Sequence, residues 1–178
     1  DKGTLSLSKM KGDDGKLTNE ITGKGTVATV NDAQISLTKE NNDFAGTWDI
    51  NDNTQIKATD LGQLGSAAIA TNDKGTLNLS AINASFGSNT VTGKGTISLS
   101  DKTSLTLNKD SSADKFGGTF DIQEGTTLKA NRSSATAATE LAHQIKGKGT
   151  YAVNANGQGI HYKAEDYSAF KGTLALSD

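Results

Sequence analysis

The chain has 178 residues, 33% hydrophobic and 21% charged, with a formal net charge of −2. That length suits one ordinary domain, and the near-neutral charge gives no overall pull toward nucleic acid or an anionic membrane. There is no Pro and no Cys, which excludes disulfides, thiolate metal sites and cysteine nucleophiles.

No apolar run approaches the roughly 18 residues of a membrane helix. No signal peptide is legible, as expected of a mature chain or an excised fragment. Hydrophobic content this lean borders on disorder unless the few apolar groups are buried very regularly.

The regularity is a Gly-Thr pair met along the whole chain, each time followed by alternating side chains. After Gly3-Thr4 come Leu5 and Leu7 around Ser6, and after Gly25-Thr26 come Val27 and Thr29 around Ala28. Gly46-Thr47 leads to Trp48 and Ile50 around Asp49, and Gly75-Thr76 to Leu77 and Leu79 around Asn78. Gly95-Thr96 leads to Ile97 and Leu99, Gly118-Thr119 to Phe120 and Ile122, Gly149-Thr150 to Tyr151 and Val153, and Gly172-Thr173 to Leu174 and Leu176. Period two is the mark of a strand with one buried face. Shorter second strands are expected at Ile35/Leu37, Leu105/Leu107 and Ile160/Tyr162. Nothing holds a helical period for long, so the chain is expected to be all-β.

The steps from one pair to the next are nearly equal except for two long ones, from Gly46 to Gly75 and from Gly118 to Gly149. A longer repeat lies on top. D-K-G-T at 1–4 returns at 73–76, and F-A-G-T-W-D-I at 44–50 returns as F-G-G-T-F-D-I at 116–122, both by the same shift. The organisation expected is a single segment over 1–178. It consists of a unit at 1–72, its copy at 73–144 and a partial third at 145–178.

A unit of about 20–23 residues with two or three short strands and a Gly turn is the length of one coil of a parallel β-helix. Stacked coils place like positions about 4.8 Å apart, so the expectation is one inward column through Leu5, Val27, Trp48 and their counterparts. This reading gives about eight coils, with 59–72 and 131–144 as excursions and a helical turn near 137–143. A β-sandwich is the competing fold, because short strands at regular spacing fit it too.

The G-K-G-T-[VI]-x-[LT] and F-x-G-T-[WF]-D-I pattern, with its Ser/Thr/Asn-rich filling and no Cys, resembles the passenger region of Gram-negative autotransporters. The resemblance spans nearly the whole chain and implies an architecture more than one protein. It implies a right-handed parallel β-helix, secreted through an outer-membrane barrel that these residues do not contain. It also implies an extracellular, cell-surface location and adhesive or self-associating activity, as in cell aggregation and biofilm. The partners implied are passengers on neighbouring cells, or host glycans and matrix proteins. No nucleic acid is expected, and no membrane contact except through the barrel.

Chemical motifs are sparse. I-T-G-K-G-T at 21–26, V-T-G-K-G-T at 91–96 and I-K-G-K-G-T at 145–150 look like phosphate loops. A Walker loop, however, needs Ser or Thr directly after Lys, where this chain has Gly25, Gly95 and Gly149. These glycines are read as equivalent coil corners, allowing a positive φ or a close approach. His143 and His161 stand apart and are expected to be surface imidazoles, so no metal and no cofactor is expected.

Asp49 and Asp121, about three coils and roughly 14 Å apart, are too distant for a glycosidase pair at about 5–9.5 Å. No catalytic residue is expected; the alternatives to an adhesive segment are a passive stalk or folding-promoting segment of the passenger, and a polysaccharide-active β-helix. Trp48, Phe120 and Tyr151 are expected in the core, with Tyr162 and Tyr167 free to bind.

The residue before Gly-Thr is Lys at six of the eight pairs: Lys2, Lys24, Lys74, Lys94, Lys148 and Lys171. In a β-helix these would rise along one edge, where charges about 4.8 Å apart repel by about 0.9 kcal/mol in water. Such a basic stripe is the candidate ligand site, for sulfated glycans, lipopolysaccharide or an acidic strip on a sister molecule. The competing reading is that exposed Lys only blunts lateral strand pairing.

Overall fold

A computed structural model describes residues 3–87, 89–109, 111–132, 139–140, 143–155, 157–161 and 164–177. Short strands follow one another in chain order. The first are β1 (Thr4–Ser8), β2 (Lys16–Leu17), β3 (Thr26–Val30), β4 (Gln34–Leu37), β5 (Thr47–Ile50), β6 (Gln55–Ala58) and β7 (Ala68–Thr71). Next come β8 (Thr76–Ser80), β9 (Asn83–Ser85), β10 (Val91–Gly93), β11 (Thr96–Ser100), β12 (Ser104–Asn108) and β13 (Thr119–Ile122). The last are β14 (Thr127–Asn131), β15 (Thr139–Glu140), β16 (Gln144–Gly147), β17 (Thr150–Asn154), β18 (Ile160–His161) and β19 (Thr173–Ser177). Short 3₁₀ turns at Gly12–Gly15, Leu61–Leu64 and Ala164–Tyr167 make some of the corners.

The strands pair in parallel and stack as a β-solenoid of about seven turns. Each turn passes three sides in order. The first side carries the sheet β1-β3-β5-β7-β10, the second β2-β4-β6-β8-β11-β13-β16, and the third β9-β12-β14-β17-β19. The second sheet runs almost end to end, while the first covers the N-terminal turns and the third the C-terminal ones. A short β15–β18 pair lies apart.

The inward column is real but is not one column. Leu77, Ile97 and Phe120 stack inward on successive turns of the second sheet, as expected. Leu5, Val27 and Trp48 align on the first sheet, and Tyr151 and Leu174 on the third. The cause is the segment 59–72, which is no excursion. It holds the Leu61–Leu64 turn and β7, which pairs between β5 and β10 with Ile69 inward.

A long step is therefore one turn plus one further side. The Gly-Thr motif moves from the first sheet to the second, and through β16 in the next long step to the third. This also corrects the count from about eight coils to about seven turns. The helical turn expected near 137–143 falls mostly outside the described residues, and Thr139–Glu140 within it is strand β15.

The two glycines of I-T-G-K-G-T have separate tasks. Gly23, Gly93 and Gly147 take φ of +94°, +103° and +100°, a conformation that other residues reach only with strain. The second glycine is there for space. Thr26, Thr96 and Thr150 begin their strands by donating N–H to a carbonyl one turn below (for Thr26, that of Gly3 at 2.9 Å). A Cβ on Gly25 would collide with that same oxygen, and one on Gly46 would meet both the Gly25 carbonyl and the Phe44 ring. The expectation that Gly25, Gly95 and Gly149 share one corner fails, since each opens a strand on a different side.

The glycine requirement gives a paired test. Gly46→Ala should lose about 1–3 kcal/mol through overpacking. Gly3→Ala has open space around its Cβ and should hold or gain slightly through the unfolded chain. Urea melts in which the two variants behave alike would refute the close-approach account.

Candidate binding surfaces

Outward residues on the solenoid form ladders, because parallel in-register pairing puts like positions one above another. On the second sheet, Gln34, Gln55, Thr76, Thr96, Thr119 and Gln144 are in register over successive turns. The third sheet carries Ser104–Thr127–Thr150–Thr173 along one line and Asn108–Asn131–Asn154–Ser177 along another. Between these two lines run Thr106, Lys129, Ala152 and Ala175.

The small alanines leave an open groove of about 490 Å³, lined by Thr106, Lys129, Asn131, Ala152, Asn154 and Ser177 among others. Hydroxyls and amides both donate and accept hydrogen bonds, so this face suits an extended polar chain, with Lys129 adding one positive charge to the groove. The Gly-Thr threonines supply half of the second-sheet ladder (Thr76, Thr96 and Thr119) and half of the first third-sheet line (Thr150 and Thr173). Their register becomes visible only once the strands are assigned to sides.

The lysine stripe does not form one edge. Lys24 precedes β3 on the first side, Lys74 and Lys94 precede β8 and β11 on the second, and Lys148 and Lys171 precede β17 and β19 on the third. All five are exposed, and Lys2 lies outside the described residues. The same one-side shift that splits the inward column splits the lysines, leaving short pairs one turn apart.

Asp49 and Asp121 likewise sit on different sheets, and Asp121 pairs with Lys146 at 3.7 Å. Tyr167, expected to be free, is half-buried against Tyr151 with ring centroids 6.2 Å apart. Tyr162 lies outside the described residues.

The structure also collects a buried polar cluster that the sequence does not announce. The first sheet stops at β10, and Ser112 continues that side: its hydroxyl accepts from the Val91 N–H and donates to the Val91 carbonyl. Under this segment the buried Arg132, the only arginine of the chain, forms an ion pair with Asp114. His143 is not a surface imidazole. It is fully buried, with Nε2 3.1 Å from the Tyr151 hydroxyl and its ring edge-on to Phe120 at 5.0 Å. Arg132 continues the inward alternation of Leu128 and Ala130 one step past β14, and His143 precedes the inward Ile145 of β16 by one step. Period two is the available signal for both, masked by their polar type, while Asp114 lies on turn backbone with no period.

Burial is the main reason that the His143 pKa falls to about 4; the nearby Asp114 charge and backbone pull it upward, while the Arg132 charge adds to the drop. The folded value lies below the ordinary 6.5, so the unfolded chain binds a proton that the fold refuses. The stability contribution is complete above about pH 6.5 and is lost as pH falls toward about 4, on the order of 3 kcal/mol in all. Carboxylates titrate near the same pH, so the check is a comparison. The difference in urea stability between wild type and His143→Phe should shrink or reverse across that window. A pH-independent difference would refute it.

No family model matches the chain, and no solved structure does. One curated protein is similar, an uncharacterized lipoprotein, YdeK, of Escherichia coli strain K12. It is 28% identical over 134 residues, covering 75% of this chain but only 10% of the relative. The matched stretch is therefore a tenth of a much longer polypeptide.

Proposed function

We propose that this chain is a rigid segment of a bacterial cell-surface protein that mediates adhesion or self-association, without catalysis of its own. The observation that carries the reading is the set of in-register hydroxyl and amide ladders along the second and third sheets. Contacts that are individually weak gain avidity by number when a stiff rod presents them at a fixed spacing. The partners would be copies of the same protein on neighbouring cells, or polar glycans and matrix proteins. The resemblance to autotransporter passengers supports an extracellular site, and similarity to a protein described as a lipoprotein supports a cell-envelope location.

The test is cell aggregation by the full-length protein with and without this segment, joined so that the remaining turns still stack. Loss of aggregation with unchanged surface display is the expected result. Undiminished aggregation would make the segment a passive stalk. In the same assay, Ala152→Tyr would fill the third-sheet groove and show whether that face takes part.

A further inference from the structure

Lys57 and Lys129 stand at the same position of the two repeat units, in Q-I-K-A at 55–58 and T-L-K-A at 127–130. The shift between them is the one that carries F-A-G-T-W-D-I into F-G-G-T-F-D-I. Both strands are interior: β6 lies between β4 and β8, and β14 between β12 and β17. Each lysine points outward, since its neighbours Ile56 and Ala58, or Leu128 and Ala130, are buried.

The surroundings repeat too. One turn back and in register stands a hydroxyl, Ser36 for Lys57 and Thr106 for Lys129. Two residues on stands a second polar group, Thr59 or Asn131. Each set lines an open groove, of about 360 Å³ at Lys57 and about 490 Å³ at Lys129. Among the described residues, no carboxylate lines either groove.

The grooves offer little to a peptide. Leu37, Ala130 and Val153 touch them but turn their side chains into the core, and interior strands have no open edge for another strand to join. What remains is ammonium, hydroxyl and amide, which suits a chain of sugar rings bearing carboxylates or sulfates. Lys129 has no ion-pair partner among the described residues. Lys57 lies 3.6 Å from Asp101, and Lys16, also at the Lys57 groove, lies 2.6 Å from Asp13. Both are largely exposed pairs that a ligand anion can displace.

We propose that each repeat unit carries one groove for an acidic polysaccharide chain, and that the two grooves hold two chains at once. β6 belongs to the second sheet and β14 to the third, so the one-side shift turns the second groove to the next side of the solenoid. One stiff chain does not follow both grooves, and the segment therefore cross-links such chains. The inference rests on the adhesive reading, whose partner it names.

The probes are polygalacturonate, which carries carboxylates, and heparin, which carries sulfates, with dextran and poly-glutamate as controls. Titration calorimetry of this chain follows binding of short fragments at low and physiological salt, and turbidity follows cross-linking of the long polymers. Wild type should take two fragments of an acidic glycan, more weakly at the higher salt, and should cloud the long polymer. Lys57→Glu and Lys129→Glu should each leave one fragment bound and abolish the turbidity. The double variant should bind at least about tenfold more weakly. Lys94→Glu makes the same charge change outside the two grooves and should alter neither readout. Circular dichroism and urea melts check folding, and Gln replaces Glu in any variant that does not fold.

The carboxylate and sulfate arms tell which acidic group is preferred. No binding of either acidic glycan overturns the proposal, and so does equal binding of dextran or poly-glutamate. A single bound fragment, or turbidity kept in the single variants, overturns the two-groove geometry. An equal loss in Lys94→Glu overturns it in favour of diffuse charge. If the chain ignores acidic glycans while deletion of the segment still abolishes cell aggregation, this inference fails and the adhesive reading stands. If both grooves fill while deletion leaves aggregation unchanged, the adhesive reading fails and the grooves stand.

Discussion

Trp48→Ala should cost about 3–5 kcal/mol, the usual loss on emptying a large aromatic site in a core. Trp48 is fully buried on β5, with Val27 and Ile69 at the same position in the turns on either side. Phe44 stands edge-on to it with ring centroids 5.1 Å apart. Its indole N–H donates to the Leu64 carbonyl at 2.9 Å, tying the first sheet to the Leu61–Leu64 corner. Truncation removes the packing and leaves that carbonyl without its donor.

Each turn touches mainly its neighbours, so the damage should stay local. Amide exchange should quicken on β3, β5 and β7 and change little on β14 and β17. Phe120→Ala, on the second sheet, should lose a similar amount centred on β11, β13 and β16. Melts that overlay the wild type would mean these aromatics are not core residues.

Arg132→Met should be as damaging, about 3–5 kcal/mol, for a different reason. The guanidinium and the Asp114 carboxylate are both buried, and removing one partner leaves the other charge out of water without its counter-ion. The pair as a whole need not stabilise the fold, since an apolar replacement of both is often neutral or better. Adding Asp114→Leu to Arg132→Met should therefore recover much of the loss. A double variant as unstable as the sum of the singles would show that the two side chains act independently and that the ion pair is not what holds the segment.

The local structure is legible in the sequence. Alternation after each Gly-Thr marks a strand and its inward residues because side-chain direction in a strand depends only on position along it. That rule alone puts Leu77, Ile97, Phe120 and Trp48 in the core, and the structure buries them. The shorter steps between Gly-Thr pairs mark a single turn, since the perimeter of the solenoid sets the length of chain that returns to the same side.

What the sequence leaves open follows from sums around the whole turn. The two long steps, Gly46 to Gly75 and Gly118 to Gly149, read as insertions. Only the pairing of β7 with β5 and of β16 with β13 shows that their extra length is one more side of the solenoid. From that follow the three separate inward columns, the divided lysines and the two-sided polar ladders. The burial of Asp114 is also decided there, because it lies on turn backbone without strand alternation. Arg132 and His143 instead extend the inward phase of β14 and β16, and go inward with a polar side chain because Asp114 and Tyr151 meet them there. Strand identity and inward face are determined locally by the sequence. The side each strand joins, and hence which surface residues stand together, is decided by the path length of the turns stacked beneath it.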